Sequence, residues 1–214
     1  MSVRRELRRM VGGALNVAAA RLRNRGSAAT PLEPLSLDAY CARPAADALD
    51  MARLLAGRPN RDRARCLEAA LRARGATVQR APYRTVEGAG VNLFVDIGAG
   101  PRVLLLAAHH DAVPGSPGAN DNAAAVGILV ALWDRLRAAP LPRLTVRLGF
   151  FGGEERAMLG SRVYARRTDL APLVGVVSLE LCGIGDTLVL WDVTPAVAES
   201  RRLLARVAPG PSFP

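Results

Sequence analysis

Apolar residues along the chain fall into short runs divided by Gly- and Pro-bearing stretches, and the period of each run predicts its element. Residues 102–108, Arg-Val-Leu-Leu-Leu-Ala-Ala, are apolar almost without a break, as in a strand covered on both faces. Residues 77–83, 91–97, 144–151, 174–181 and 187–191 read as further strands. Helical spacing marks 44–56, opened by a proline suited to the first helical position, and 61–74, stopped by Gly75. It returns over 122–139, 160–167 and 196–207. Strands alternating with helices predict an α/β fold: a mostly parallel, mixed central sheet sandwiched between helices, with ligands beyond the carboxyl ends of its strands.

The first 25 residues differ in kind. Val3, Leu7, Met10, Ala14 and Val17 form an apolar stripe, widened by Val11 and Leu15, against a face carrying Arg4, Arg5, Arg8, Arg9, Arg21, Arg23 and Arg25. This is the pattern of a basic amphipathic N-terminal helix, able either to dock on the domain or to touch a membrane surface. Docking is the expected role. A linker follows over 26–34, so 1–34 form an appendage and 35–214 the α/β domain. Gly12, Gly13 and Asn16 interrupt what a secretory signal would need as a compact apolar core, which favours a cytoplasmic location.

Composition narrows the classes. In 214 residues, 50% are hydrophobic and 22% charged, enough for a core and too apolar for a disordered polyelectrolyte. The formal net charge of +10 suggests a polyanion partner, but all 29 basic residues are Arg, scattered along the chain, and aromatics make up only 4%. Nucleic-acid recognition wants a grouped basic face or aromatic platforms, so no nucleic-acid partner is expected. Cys41, Cys66 and Cys182, an odd number widely spaced, build neither a disulfide framework nor a metal knuckle.

The candidate chemistry lies just after the apolar strands. In His109-His110-Asp111 the alternation of an extended chain sends His109 and Asp111 to one face and His110 to the other. A ligating imidazole needs its second nitrogen held, and a carboxylate two residues on can serve, directly or through neighbours. Asp121 stands twelve residues after His109 at the start of a helix, where an N-cap would be the ordinary reading. Glu154-Glu155 follow Gly152-Gly153; a dication would relieve their repulsion and let one ligate while the other handles a proton. Glu180 interrupts a buried-looking strand, a costly place for a charge unless paired or metal-bound. Imidazole and hard oxygen ligands together point to zinc.

With these motifs the stretch from Leu104 to Gly160 resembles the co-catalytic zinc aminopeptidases of metallopeptidase family twenty-eight, which also includes glutaminyl cyclases. The resemblance rests on His109-His-Asp111, Gly118-Ala-Asn-Asp121-Asn122, Phe151-Gly-Gly-Glu154-Glu155 with Leu159-Gly-Ser161, and Leu179-Glu180-Leu-Cys-Gly183. It implies His109 and Glu180 as terminal ligands of one zinc, Asp121 as the bridging carboxylate and Glu155 as the acid ligand of a second. It further implies Glu154 as general base and Asp111 as the acid that orients His109. The family commonly has Asp where this chain has Glu180, and it closes the second zinc site with a distant histidine, whereas no histidine follows His110. Two zinc ions are therefore implied by the family, while only one site has a full ligand set; the chain is expected to be C-terminally incomplete relative to that pattern.

The function implied is zinc-dependent aminopeptidase activity on peptides with a free N-terminus, Glu154 taking a proton from a metal-activated water. A glutaminyl cyclase is disfavoured, because Glu154-Glu155 followed by Leu159-Gly-Ser161 resembles the peptidase branch, and three alternatives stay open. Another zinc amidohydrolase or carboxypeptidase would use the same scaffold, although those typically place more residues between HxD and the bridging Asp. A non-catalytic relative would serve as a binding module without metal. An Arg-rich polyanion binder would show steep salt dependence and no metal dependence.

Overall fold

The computed structural model describes residues 32–139 and 141–185. The elements expected over 1–25, 187–191 and 196–207, and most of the 26–34 linker, lie outside them. A short helix not expected from the sequence, α1 (Leu37–Cys41), comes first, capped by Ser36, whose hydroxyl oxygen accepts from Ala39 N at 3.1 Å. Helix α2 (Ala48–Leu55) starts later than the proline predicted. Asp47 supplies the reason: its carboxylate accepts from Leu49 N and Asp50 N, satisfying two amides that Pro44 could not.

Helix α3 (Asn60–Ala73) leads to a hairpin of β1 (Gln79–Thr85) and β2 (Gly88–Ile97), then to β3 (Arg102–His109). A π-type turn at Ala119–Ala123 runs into α4 (Ala124–Leu136), followed by β4 (Leu144–Phe151), α5 (Leu159–Arg167) and β5 (Leu173–Ser178). The strand order is β1-β2-β4-β3-β5. Strand β3 pairs in parallel with β4 and β5, while β2 is antiparallel to both its neighbours. Only β2 thus runs against the other four described strands, giving the mixed, mostly parallel sheet that the alternation of elements predicts.

Alternation within the strands distributes the core. Leu93, Val95 and Ile97 of β2 and Val146, Leu148 and Phe150 of β4 join one apolar cluster with side chains of α2, α3 and α4. Phe94, Leu105, Ala107 and Phe151 form a second cluster with Tyr164 of α5. Phe94 and Phe151 pack edge to face at 5.7 Å, and Phe94 lies 5.0 Å from Tyr164. Beside them Arg147 of β4 makes a bidentate pair with Asp96 of β2, at 2.8 and 2.7 Å.

The parallel strands bring the functional loops together. His109 pairs in register with Phe151, and Ala107 with Ser178, so β3, β4 and β5 end on one edge of the sheet. The segments after His109, Phe151 and Ser178 therefore emerge side by side. Strand β5 stops three residues short of the sequence expectation, which ran to Leu181. Leu179 N still bonds Ala107 O at 2.8 Å, but the chain then turns through a left-handed Leu181, so Glu180 sits in the loop and not inside a strand.

Candidate metal centre

His109, the last residue of β3, is 3% exposed and has both ring nitrogens engaged. Nδ1 lies 3.1 Å from the Asp111 backbone carbonyl, which fixes the ring and leaves Nε2 facing outward. Three carboxylates approach that nitrogen: Asp121 Oδ1 at 3.0 Å, Glu180 Oε2 at 3.4 Å and Glu154 Oε2 at 3.9 Å. Glu155 is drawn in as well, for ligand atoms of His109, Asp121 and Glu155 all lie within 4.8 Å of one another. His110 turns away, its Nε2 3.0 Å from Val91 O. The structure thus gathers the acids around His109: Asp121 and Glu155 form one mutually close group with it, while Glu180 and Glu154 each approach its Nε2.

Asp111 reaches beyond the imidazole it was expected to orient. Its carboxylate stands 3.6 Å from His109 Nδ1, beyond a good hydrogen bond, whereas Oδ1 accepts from Glu154 N at 3.1 Å and Oδ2 from Glu155 N at 3.2 Å. The buried acid seats the Glu-Glu pair through its amides, and its own main-chain oxygen holds the imidazole. Burial works to raise the Asp111 carboxyl, but the neighbouring His109 and then the Glu154 amide outweigh it and keep it below the usual range.

Asp121 is not a helix cap. With φ −115° and ψ 90° it sits in a kink ahead of α4, whose cap position is Ala123, and the kink turns its carboxylate toward His109. Asn122, fully buried, donates to Leu179 O and to Glu180 Oε2, both at 2.8 Å, while its Oδ1 accepts from Leu181 N at 3.3 Å. Asn120 Oδ1 accepts from Gly183 N at 2.8 Å. The two asparagines flanking Asp121 tie the Glu180 loop to it.

The Gly152-Gly153 bend is held from the hairpin. Tyr83 Oη donates to Gly152 O at 2.6 Å, and Asn92 Oδ1 accepts from Gly152 N at 3.2 Å while its amide donates to Gly160 O at 2.9 Å. Either glycine is required here, since a Cβ on Gly153 (φ +73°) would meet Tyr83 Oη at 2.7 Å and one on Gly152 would meet Val91 O at 2.7 Å. Tyr83 and Asn92 were not singled out in the sequence. Of these only Asn92 carries a signal, a polar residue inside the apolar run Val91-Asn-Leu-Phe-Val.

Electrostatics suit a cation. Among the described residues no arginine pairs with Asp111, Asp121, Glu154, Glu155 or Glu180, leaving one imidazole against five acids. Burial disfavours the imidazolium, yet the Asp111 and Glu180 carboxylates outweigh it and push His109 up to about 10. Burial and the neighbouring acids raise Glu154 and Glu155. A divalent ion would relieve this excess, and one imidazole nitrogen with carboxylate oxygens is a donor set zinc accepts. His109 lies at the floor and the side chains of Asp121, Glu154 and Glu180 are 47%, 36% and 45% exposed, so the site opens to solvent.

The chain is similar to known proteins in this region. The sequence profile of peptidase family M28 matches residues 92–212. Over 79 residues the chain is 35% identical to the probable lipoprotein aminopeptidase LpqL of Mycobacterium tuberculosis, a stretch covering 37% of this chain and 16% of that protein. Over 64 residues it is 38% identical to aminopeptidase YwaD of Bacillus subtilis, covering 30% of this chain and 14% of the relative. The matching stretches therefore span less than a fifth of either relative's length. Among solved structures, a glutaminyl cyclase of an Acidobacteriales bacterium shares the fold, with a TM-score of 0.57 at 18% identity over 86% of this chain and 72% of that one. No helix among the described residues is long and apolar enough to cross a membrane.

Proposed function

The chain belongs to peptidase family M28, and from that premise together with the geometry above we propose that it is a zinc-dependent aminopeptidase acting on peptides with a free N-terminus. One observation carries the reading: a buried imidazole with its outward nitrogen ringed by three carboxylates, next to a Glu-Glu pair whose amides are both seated on Asp111.

His109, Asp121 and Glu180 would hold one zinc ion, and Asp121 with Glu155 would contribute to a second. The chemistry a bound zinc supplies is Lewis-acid polarisation of a carbonyl and a lowered pKa for water. The remaining work falls to the chain's own groups. Glu154, not needed as a ligand, accepts the proton of the attacking water on its carboxylate and returns it to the departing nitrogen. Without a cation, burial and then its acidic neighbours raise its pKa above the ordinary glutamate range. Asp111 keeps Glu154 in place by accepting its amide, and Tyr83 and Asn92 fix the bend before it. The surplus of carboxylates at the rim also suits an α-ammonium group, favouring removal of an N-terminal residue over internal cleavage.

The test is hydrolysis of leucyl-p-nitroanilide by the purified full chain before chelation, after chelation and after zinc is returned. Turnover that disappears with the metal and returns with it is expected. Turnover indifferent to chelation, or its absence in zinc-loaded protein, contradicts the proposal.

A further inference from the structure

Arg63 is fully buried on α3, and among the described residues it makes no ion pair. Its donors go to main-chain carbonyls instead. Nε donates to His110 O at 2.5 Å, Nη2 to Gly118 O at 2.9 Å, and Nη1 to Leu55 O at 2.9 Å, with a longer contact to Pro117 O at 3.4 Å. His110 follows His109 directly, and Gly118 opens the turn that carries Asp121. One planar, rigid group thus spans both ends of the loop that joins the first two candidate ligands, His109 and Asp121.

Neighbouring features point the same way. Asn60, at the start of the same helix, donates from Nδ2 to Ala112 O at 3.0 Å and accepts at Oδ1 from Ala112 N at 2.9 Å. Gly57 N bonds Pro117 O at 2.7 Å. The loop after His109 is therefore gripped at its beginning, middle and end by the segment running from Leu55 to Arg63. Gly118, at φ +60°, makes the closest approach possible, since a Cβ there would stand 2.8 Å from Arg63 Nη1.

A buried cation without an acid partner is expensive, and packing alone would be met more simply by an apolar side chain. Burial lowers the Arg63 guanidinium to about 10, and the charges that oppose this are those of Asp111, Asp121 and Glu155, the acids of the candidate site. The cation and the anionic cluster thus act on each other without touching. Lysine could not substitute, because a point charge on a flexible stem cannot hold several carbonyls in fixed directions.

We propose that Arg63, with Asn60 beside it, is a positioning residue that braces the loop between His109 and Asp121, sets their separation and so controls the affinity and geometry of the metal site. The inference rests on the reading that those two residues hold a divalent ion.

The test uses the full chain with Arg63→Lys, Arg63→Met and Asn60→Ala, and Leu67→Ala as a control that damages the α3 core away from the loops. Zinc affinity is read by competition with a chromophoric chelator, and coordination geometry by the visible absorption of the cobalt-substituted protein. Both Arg63 variants are expected to weaken zinc by about tenfold or more and to alter the cobalt bands. Asn60→Ala, an exposed position, moves both readouts in the same direction by less. Leu67→Ala lowers thermal stability but keeps the wild-type affinity and spectrum. An Arg63→Lys protein with wild-type affinity and cobalt bands overturns the proposal, as does a control that disturbs them equally. Should the Arg63 variants fail to fold, Asn60→Ala decides alone, and unchanged affinity and bands overturn it. A wild-type chain that binds neither ion overturns the metal reading itself and this inference with it.

Discussion

At Glu154 a single exchange of oxygen for nitrogen separates binding from chemistry. Glu154→Gln keeps the size of the side chain and the backbone bond to Asp111 but removes the proposed base, so kcat on leucyl-p-nitroanilide should fall by about 10²–10⁴ while zinc affinity holds. Retained turnover would strip Glu154 of its role. Asp111→Asn probes the seat beneath it. Asparagine offers one acceptor and turns its NH₂ toward a backbone N–H, leaving one amide of the Glu-Glu pair unpaired in a buried place at a cost of about 1–3 kcal/mol. Zinc affinity and kcat should both drop by about 10–100-fold; a variant matching the wild type in both would contradict the seating role. These acids were legible in the sequence because carboxylates after apolar strands are conspicuous. Arg63 was not, since all 29 basic residues are arginine and one on a helix flanked by Arg61 and Arg65 reads as solvated. Only the three-dimensional path of the 110–118 loop shows that it is buried.

At the level of elements, α4 links the site to the core, because the turn bearing Asp121 runs straight into it. Gly127 of α4 lies against the first turn of α2, where a Cβ would come within 2.8 Å of Ala48 Cα. Gly127→Ala therefore sets a helix-propensity gain of about 1 kcal/mol against an overpacking cost of about 1–3 kcal/mol. The backbone of Ala48 cannot swing aside as a side chain could, so thermal unfolding should show a lower Tm. A raised Tm would mean that the helices separate freely. Nothing in the sequence singles out Gly127, for close approach between elements leaves no mark on periodicity. Strand β3 was readable from its nearly continuous apolar run, and β4 from a mostly apolar one interrupted at Thr145 and Arg147. Helix α1, five residues long, is too short to show a period, and the end of β5 depends on Asn122, fifty-odd residues earlier, holding Leu179 and Glu180 in a loop.

For the molecule as a whole, three parallel strands ending on one edge are what turn separate sequence motifs into one site. The alternation of strands and helices and the chemistry at the strand ends could be read along the chain; the order of strands in the sheet, and which oxygen faces which nitrogen, could not, the latter because it depends on the kink at Asp121 and the double acceptance by Asp111. Acids gathered at that edge repel one another until a cation joins them, so zinc should stabilise the fold by mass action, about 2.7 kcal/mol at a concentration one hundred times Kd. Chelation should lower Tm in the wild type and leave His109→Ala unmoved; equal shifts in both would place the stabilising ion elsewhere. The decisive measurement is a calorimetric zinc titration of the metal-free full chain beside its His109→Ala variant. One or two ions per wild-type chain, with the tighter site lost in the variant, is the predicted result. No uptake by the wild type, or the same isotherm for both proteins, would contradict a metal centre built on His109.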